Sequence, residues 1–288
     1  MAIIRAAQVC VAWFLIGASI CYAYCISPKI PIAQSIVEIS PAVFLGTFAA
    51  VTYSALYLCV SSPSWLFSVS IRALSLGHGF GLGLILAFSG SSFSLFGWYI
   101  TALSFFHVSE FLATAITNPS EVNIESFLLD HSTEYHIAMV ASMVEFCVEW
   151  FVFPGYKQPC WLAYIGLCVV IGGEVLRKGA MFTAMRNFNH YVQQRKRRDH
   201  ELVTTGIYSL FRHPSYVGWF YWSIGTQLMV LNPFCLVLYA VASWQFFQDR
   251  VEYEEMTLVT FFGDQYLQYQ KSVPTGLPFI KGYVQYEN

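Results

Sequence analysis

Arg212, His213, Pro214, Ser215 and Tyr216 form one run between a basic polar stretch and an apolar segment, 217–230. Anchoring a chain where it enters a bilayer calls for Arg, Tyr or Trp, but not for His-Pro-Ser in a row. Pro214 fixes its own φ and drives His213 toward extended backbone. The run is therefore read as a shaped segment that holds something at the edge of a membrane. A second pair, Arg250 and Glu254, is four residues apart and shares a helical face. It reads either as a weak solvated ion pair or as two ligand contacts side by side. Glu145 and Glu149 are also four apart, and Glu174, Arg177 and Lys178 follow in the next apolar segment. Ionised groups in hydrocarbon are costly, so they face a cavity or one another. For the two glutamates a helix-locking ion pair and a functional role both stay open; Glu174 and Arg177 are spaced to pair, and Arg177, near the end of its helix, is read as functional.

The elements that must position these groups are membrane helices. The chain is 56% hydrophobic and 11% charged, against roughly 25% charged in a soluble domain. Apolar segments of spanning length, about 20 residues, recur near 6–26, 40–60, 66–88, 93–117, 135–153, 159–183, 215–231 and 232–248. The expected fold is an all-α integral membrane protein of about eight transmembrane helices. The last two are joined only by Leu231-Asn232-Pro233 and read as a tight hairpin. The first lacks a small-residue cleavage site and is read as retained. Eight spans put both termini on one side, together with Arg195, Lys196, Arg197 and Arg198, which the positive-inside rule makes cytosolic. Glu121, Glu125, Asp130 and Glu134 in loop 118–134 fall on that side too, but acidic residues weigh little in the rule.

Polar chemistry collects after residue 140. The expected division is 1–134, four scaffold spans, and 135–288, a catalytic membrane region with a loop and a tail. Gly77, Gly79, Gly81 and Gly83 make overlapping Gly-x-x-x-Gly spacings, read as close helix packing with a dimer face as the alternative. None of the eight cysteines forms a Cys-x-x-Cys pair, so neither a disulfide framework nor a metal site is expected. The basic run 195–198 reads as headgroup-facing. Residues 199–208 mix short apolar residues with Thr-Thr-Gly, a turn signal, and suit a strand of loop passing over a ligand. The stretch Val273–Ile280 is apolar and broken by two prolines; it is expected to pack back on the cytosolic face rather than hang in solvent.

The C-terminal half resembles the isoprenylcysteine carboxyl methyltransferases of the endoplasmic reticulum. The resemblance rests on Gly173-Glu174-Val175-Leu176-Arg177-Lys178, Asn187-Phe188-Asn189-His190, Leu202-Val203-Thr204 and the run from Phe211 to Trp222. It continues through Asn232-Pro233, Arg250 with the glutamates after it, Phe262-Gly263 with Tyr266, and Val273–Ile280, covering about 172–282. Arg-His-Pro-x-Tyr alone is shared with bacterial lipid methyltransferases and membrane sterol reductases; the whole series is specific. The resemblance implies methylation of the terminal carboxylate of prenylated cysteine in CaaX proteins, small GTPases and lamins among them. It implies S-adenosylmethionine in a cytosol-facing pocket, no metal and no nucleic acid. It assigns cofactor contacts to Gln193, His200, Glu201, Leu202, Val203, Tyr208, His213, Pro214, Ser215, Tyr216 and Glu254. It assigns the substrate carboxylate to Arg250, with Arg177 supporting and catalytic beside it. Trp219, heading an aromatic cluster with Phe220, Tyr221 and Trp222, is expected either to line the prenyl entrance or to belong to an interfacial belt. A non-catalytic prenyl-protein receptor and a sterol-type reductase are the alternatives.

Overall fold

The computed structural model describes residues 2–61, 64–130 and 132–283, and these form helices and turns, with no strand among them. The order is α1 Ala2–Ile26, α2 Pro31–Ile39, α3 Pro41–Cys59, α4 Trp65–Ala87, α5 Ser94–Thr117, α6 Thr133–Val152, α7 Trp161–Ala184, α8 Pro214–Met229, α9 Pro233–Phe262 and α10 Asp264–Ser272. Helices α1 and α3 through α9 stand on the eight predicted segments. Five of them, α1 and α3 to α6, are long and apolar enough to cross a membrane by length and composition. Two short helices, α2 and α10, carry no spanning signal and were not foreseen as elements.

The chain forms two compact units. One holds the residues up to Ala115 with Val122–Thr133 and Phe146–Pro159; the other holds Ile116–Glu121, Glu134–Glu145 and the chain from Cys160 on. In the first unit, helix starts are set by hydroxyl caps: Ser40 accepts from Val43 N at α3, and Ser64 from Phe67 N at α4. The glycine series on α4 is consumed by packing within the unit. A side chain at Gly77 or Gly81 would meet the α1 backbone at Phe14 or Ala18, and one at Gly79 or Gly83 would meet Ser104, Gly97 or Thr101 of α5. Glu149 pairs with the buried Lys157 at 2.6 Å, so this glutamate serves as a structural ion pair.

The second unit is built on an α7–α8 contact so close that backbones touch. A Cβ on Gly166 would strike Met229, one on Gly225 would strike Val170, and one on Gly173 would lie 2.6 Å from Gly218 O. Gly218 in turn lies against Arg177 N. Helix α9 returns beside α8 after a turn in which Leu231 takes φ 58. Its start is held by Glu145, whose carboxylate accepts from Phe234 N at 2.8 Å and Cys235 N at 2.7 Å. That is a capping interaction at a helix N-terminus, and it gives Glu145 a structural role as well. Ser142, Gln227 and Asn232 close the same corner with buried hydrogen bonds. Helix α9 then runs unbroken for 30 residues to Phe262, where Gly263 with φ 55 turns the chain into α10.

Candidate functional site

Helix α8 begins with Pro214 at its first turn and His213 as the preceding residue, with φ −123 and ψ 57; the backbone there is kept out of the helical region by the following proline but is not the extended geometry expected. This directs the His213 ring back over α9. It stacks on Tyr216 with ring planes 3° apart at 5.5 Å, and its Nε2 lies 3.0 Å from Glu255 Oε1. The Tyr216 hydroxyl donates to Glu254 Oε2 at 2.5 Å and accepts from Arg250 Nε at 2.9 Å. Arg250 and Glu254, one turn apart on α9, therefore meet at one phenolic oxygen supplied by α8. The Arg250 guanidinium also donates to His190 O and lies over the Tyr216 ring at 5.6 Å and the Phe246 ring at 5.9 Å. The second guanidinium, Arg177, is 2% exposed. The glycine contact between α7 and α8 brings it to the helix start, where its Nη1 donates to Ser215 Oγ at 2.8 Å. It also rests on the Trp219 ring at 4.7 Å, a cation–π contact in a desolvated setting. Glu174 pairs with Lys178 at 3.0 Å.

A cleft of about 860 Å³, counting the space open to solvent, lies against this cluster. Every residue expected to contact a cofactor lines it: Gln193, His200, Glu201, Leu202, Val203, Tyr208, His213, Pro214, Ser215, Tyr216 and Glu254. Arg250, Arg177 and Trp219 stand behind that lining, reached through Tyr216 and Ser215. The loop that closes the cleft is tied down at several points. Glu201 N donates to Asn187 Oδ1 at 3.0 Å, Lys196 Nζ to Phe261 O at 2.7 Å, and Tyr269 OH to Tyr208 O at 2.5 Å. The basic run is thus partly wall. Lys196 docks on the end of α9 and Arg197 donates to Arg186 O, while Arg195 and Arg198 are exposed. His200 Nδ1 is buried and has no hydrogen-bond partner. Burial, then the charges of Arg197 and Lys196, lower the His200 pKa, so this imidazole is neutral near pH 7. Burial, then Glu254, raises that of Tyr208, which keeps its hydroxyl a donor.

Several residues of the site carried no signal of their own in the sequence. Thr257, Leu258 and Phe261 line the cleft at three, four and seven residues from Glu254, a helical stripe that the spacing rule could have extended. Tyr191 and Tyr269 line it from other segments, and only the fold brings them there; Asn187 and Tyr266, which belong to the series that carries the resemblance, line it with them. The largest omission is Glu255. It is fully buried and collects Arg212 Nε at 2.7 Å, His213 Nε2 at 3.0 Å and Tyr266 OH at 3.0 Å on one oxygen. Gln270 Nε2 and Tyr283 N, each at 2.8 Å, bond the other oxygen. Burial alone would raise its pKa, but the hydrogen bond and charge of His213, with Arg212, hold it down to about 2. It is an ionised hub that joins the Arg-His-Pro-Ser-Tyr run to the tail.

Comparison with known proteins gives a consistent result. Residues 164–260 match the model of the isoprenylcysteine carboxyl methyltransferase family. Over 217 residues the chain is 58% identical to a protein-S-isoprenylcysteine O-methyltransferase of Xenopus laevis, covering 75% of each chain. It is 57% identical to the Homo sapiens protein of that name over 216 residues, 75% of this chain and 76% of the relative. The solved structure of a eukaryotic intramembrane Ras methyltransferase, isoprenylcysteine carboxyl methyltransferase, superposes with a TM-score of 0.89 at 44% identity. That superposition covers 97% of this chain and 99% of the other. With these relatives, this helical architecture and this site, the chain is an integral membrane protein that belongs to the isoprenylcysteine carboxyl methyltransferase family.

Proposed function

We propose that this protein esterifies the C-terminal carboxylate of prenylated cysteine in processed CaaX proteins, with S-adenosylmethionine as the methyl donor bound in the cleft. The observation that carries the reading is the meeting of Arg250 and Glu254 at the Tyr216 hydroxyl. It sets a carboxylate-binding cation next to a group that suits the donor's ribose or amino hydrogens. The cleft's contents fit the donor. The unpartnered Nδ1 of the neutral His200 is ready for a polar edge such as that of adenine. The backbone of 200–203 lines one wall beside Phe261 and Tyr208.

S-adenosylmethionine supplies a methyl group on a positively charged sulfur, already activated for transfer. The residues do the remainder. A cysteine α-carboxyl has a pKa of about 3.5, so it is the nucleophile at neutral pH. A carboxylate oxygen forms the new bond to the methyl carbon as the carbon–sulfur bond breaks, and no proton moves. No general base is therefore required of the cluster. Arg250 offers the planar fork that matches a carboxylate, and Tyr216 with Phe246 covers one side of it. Opposite charges disappear during the transfer, so holding them in line with water kept out is the main demand. Arg177, held by Ser215 and Trp219, supports the helix start on which Tyr216 stands and is assigned to the substrate side with Trp219. The prenyl chain enters sideways from lipid, where burial of each methylene contributes about 0.8 kcal/mol.

The family likeness and the basic run 195–198 support an endoplasmic reticulum membrane, eight spans, and a cleft and termini facing the cytosol. The first four spans act as scaffold and lipid access, and residues 135–288 carry the chemistry. Small GTPases and lamins are the substrate classes by family analogy. Membranes containing the chain should transfer labelled methyl from S-adenosylmethionine to N-acetyl farnesylcysteine as a base-labile ester, and none to the same analogue amidated at its carboxyl. Methylation of the amide, or of phospholipid headgroups instead, overturns the proposal. Saturable binding with no turnover would return the receptor reading.

A further inference from the structure

Helix α7 ends on Ala184, and the next residue turns the chain sharply. Met185 takes φ 50 and ψ −122, a costly conformation for a residue with a side chain. Such strain persists only where the surroundings over-determine it. Here the restraint is a set of hydrogen bonds on the segment that follows. Arg197 donates to Arg186 O, and Asn118 Nδ2 donates to Phe188 O at 2.9 Å. Asn118 is 1% exposed, and its Oδ1 accepts from Ser120 Oγ at 3.0 Å, so both ends of its amide are engaged. It is not among the residues that line the cleft.

Both reactant sites are tied to this segment. On the donor side, Glu201 N donates to Asn187 Oδ1 at 3.0 Å, and residues 200–203 line the cleft. On the substrate side, Arg250 donates to His190 O, the bond that aims the guanidinium together with the one to the Tyr216 hydroxyl. Phe188, between the two ties, is extended with φ −79 and ψ 133. The stretch from Asn187 to His190 is at most about 11 Å long, so neither tie can shift far without moving the other. Phe188 O, where Asn118 takes hold, lies between them in the chain.

We propose that residues 187–190 are a brace shared by the two reactant sites, and that Asn187 and Asn118 are its positioning residues. Asn187 acts as the acceptor that holds the donor wall, and Asn118 as the donor that holds the brace. The proposal rests on the reading of the cleft as the donor site and of Arg250 as the carboxylate grip. Aspartate keeps the acceptor of asparagine and lacks its amide hydrogens, whereas leucine keeps the size and has neither. In the full-length protein in nanodiscs, Asn187→Leu should weaken S-adenosylhomocysteine binding by about 5–30-fold, the worth of one hydrogen bond, and raise the KM for N-acetyl farnesylcysteine as well. Asn187→Asp should keep both constants within about threefold of the parent, because the bond to Glu201 N survives. Asn118→Leu, outside the cleft, should shift both constants in the direction of Asn187→Leu. If Asn187→Asp loses donor affinity as Asn187→Leu does, the amide touches the donor directly and the brace is wrong. If Asn118→Leu lowers the unfolding temperature while both constants keep their parental values, that residue is structural only, and the proposal again fails. Deuterium uptake at 199–203 should rise in Asn187→Leu and not in Asn187→Asp; equal uptake in the two overturns the brace. That last readout needs no turnover, so it judges the brace even where a parent that methylates nothing has sunk the proposed reaction.

Discussion

Tyr216, Arg250 and Glu254 can be told apart by substitution because one hydroxyl joins them without merging their roles. Arg250→Ala should lower kcat/KM by more than about a hundredfold, since a desolvated carboxylate that loses its partner costs roughly 3–5 kcal/mol. It should leave S-adenosylhomocysteine affinity nearly intact in calorimetry. Arg250→Lys should restore little, because an ammonium lacks the fork and stacks poorly on Tyr216 and Phe246. Glu254→Ala should show the reverse pattern, with weaker S-adenosylhomocysteine binding by about 5–30-fold, the worth of one or two lost hydrogen bonds. Similar small losses in both assays for both variants would mean a solvated ion pair. The sequence made this pair legible through its spacing, and the run 212–216 through its proline. It did not make Glu255 legible, although Glu255 is adjacent to Glu254. Its partners come from Arg212, His213, Tyr266, Gln270 and Tyr283, which only tertiary structure assembles.

At the scale of elements, the α7–α8 contact decides where Arg177 lies. Gly218→Ala would place a methyl 2.7 Å from Arg177 N and from Gly173 O. Backbone atoms cannot step aside as side chains do, so overpacking should cost about 1–3 kcal/mol and displace Arg177 from Ser215. A lowered unfolding temperature together with a fall in kcat is expected. Gly179→Ala on α7, the helix of Arg177, meets only the flexible end of Ile207 at 3.2 Å and should leave both nearly unchanged. If the two variants behave alike, backbone contact is not what positions the arginine. Helices α1 and α3 to α6 were readable from hydrophobic runs because a membrane imposes their length. Helices α2 and α10 were not, being nine residues each and shorter than any spanning pattern. Glu145 and Glu149 share a helical face, yet one caps α9 and the other pairs with Lys157; spacing gave their direction and not their partners.

For the whole molecule, acid stability follows from Glu255. Its folded pKa, about 2, lies below the ordinary 4.5, so its contribution is complete above about pH 4.5 and is lost as pH falls toward 2. Thermal unfolding followed from pH 6 to pH 3 should fall steeply in the parent. Glu255→Gln, less stable at neutral pH by roughly 3–5 kcal/mol because the buried Arg212 loses its counter-charge, should show a flatter slope. Equal slopes would place the acid sensitivity elsewhere. The length of α9 has a consequence of another kind. Thirty residues without a break make a rod of about 45 Å, half again the thickness of the hydrocarbon. Its lower part exposes Val237, Leu238 and Val241, and its upper part carries Arg250. If Arg250 binds the substrate carboxylate as proposed, the rod is a gauge that fixes the height at which that carboxylate is gripped. A substrate whose own anchor sits in the same leaflet must present its terminus at that height, so the bilayer is part of the active-site geometry, and turnover should pass through an optimum as lipid acyl chains are lengthened.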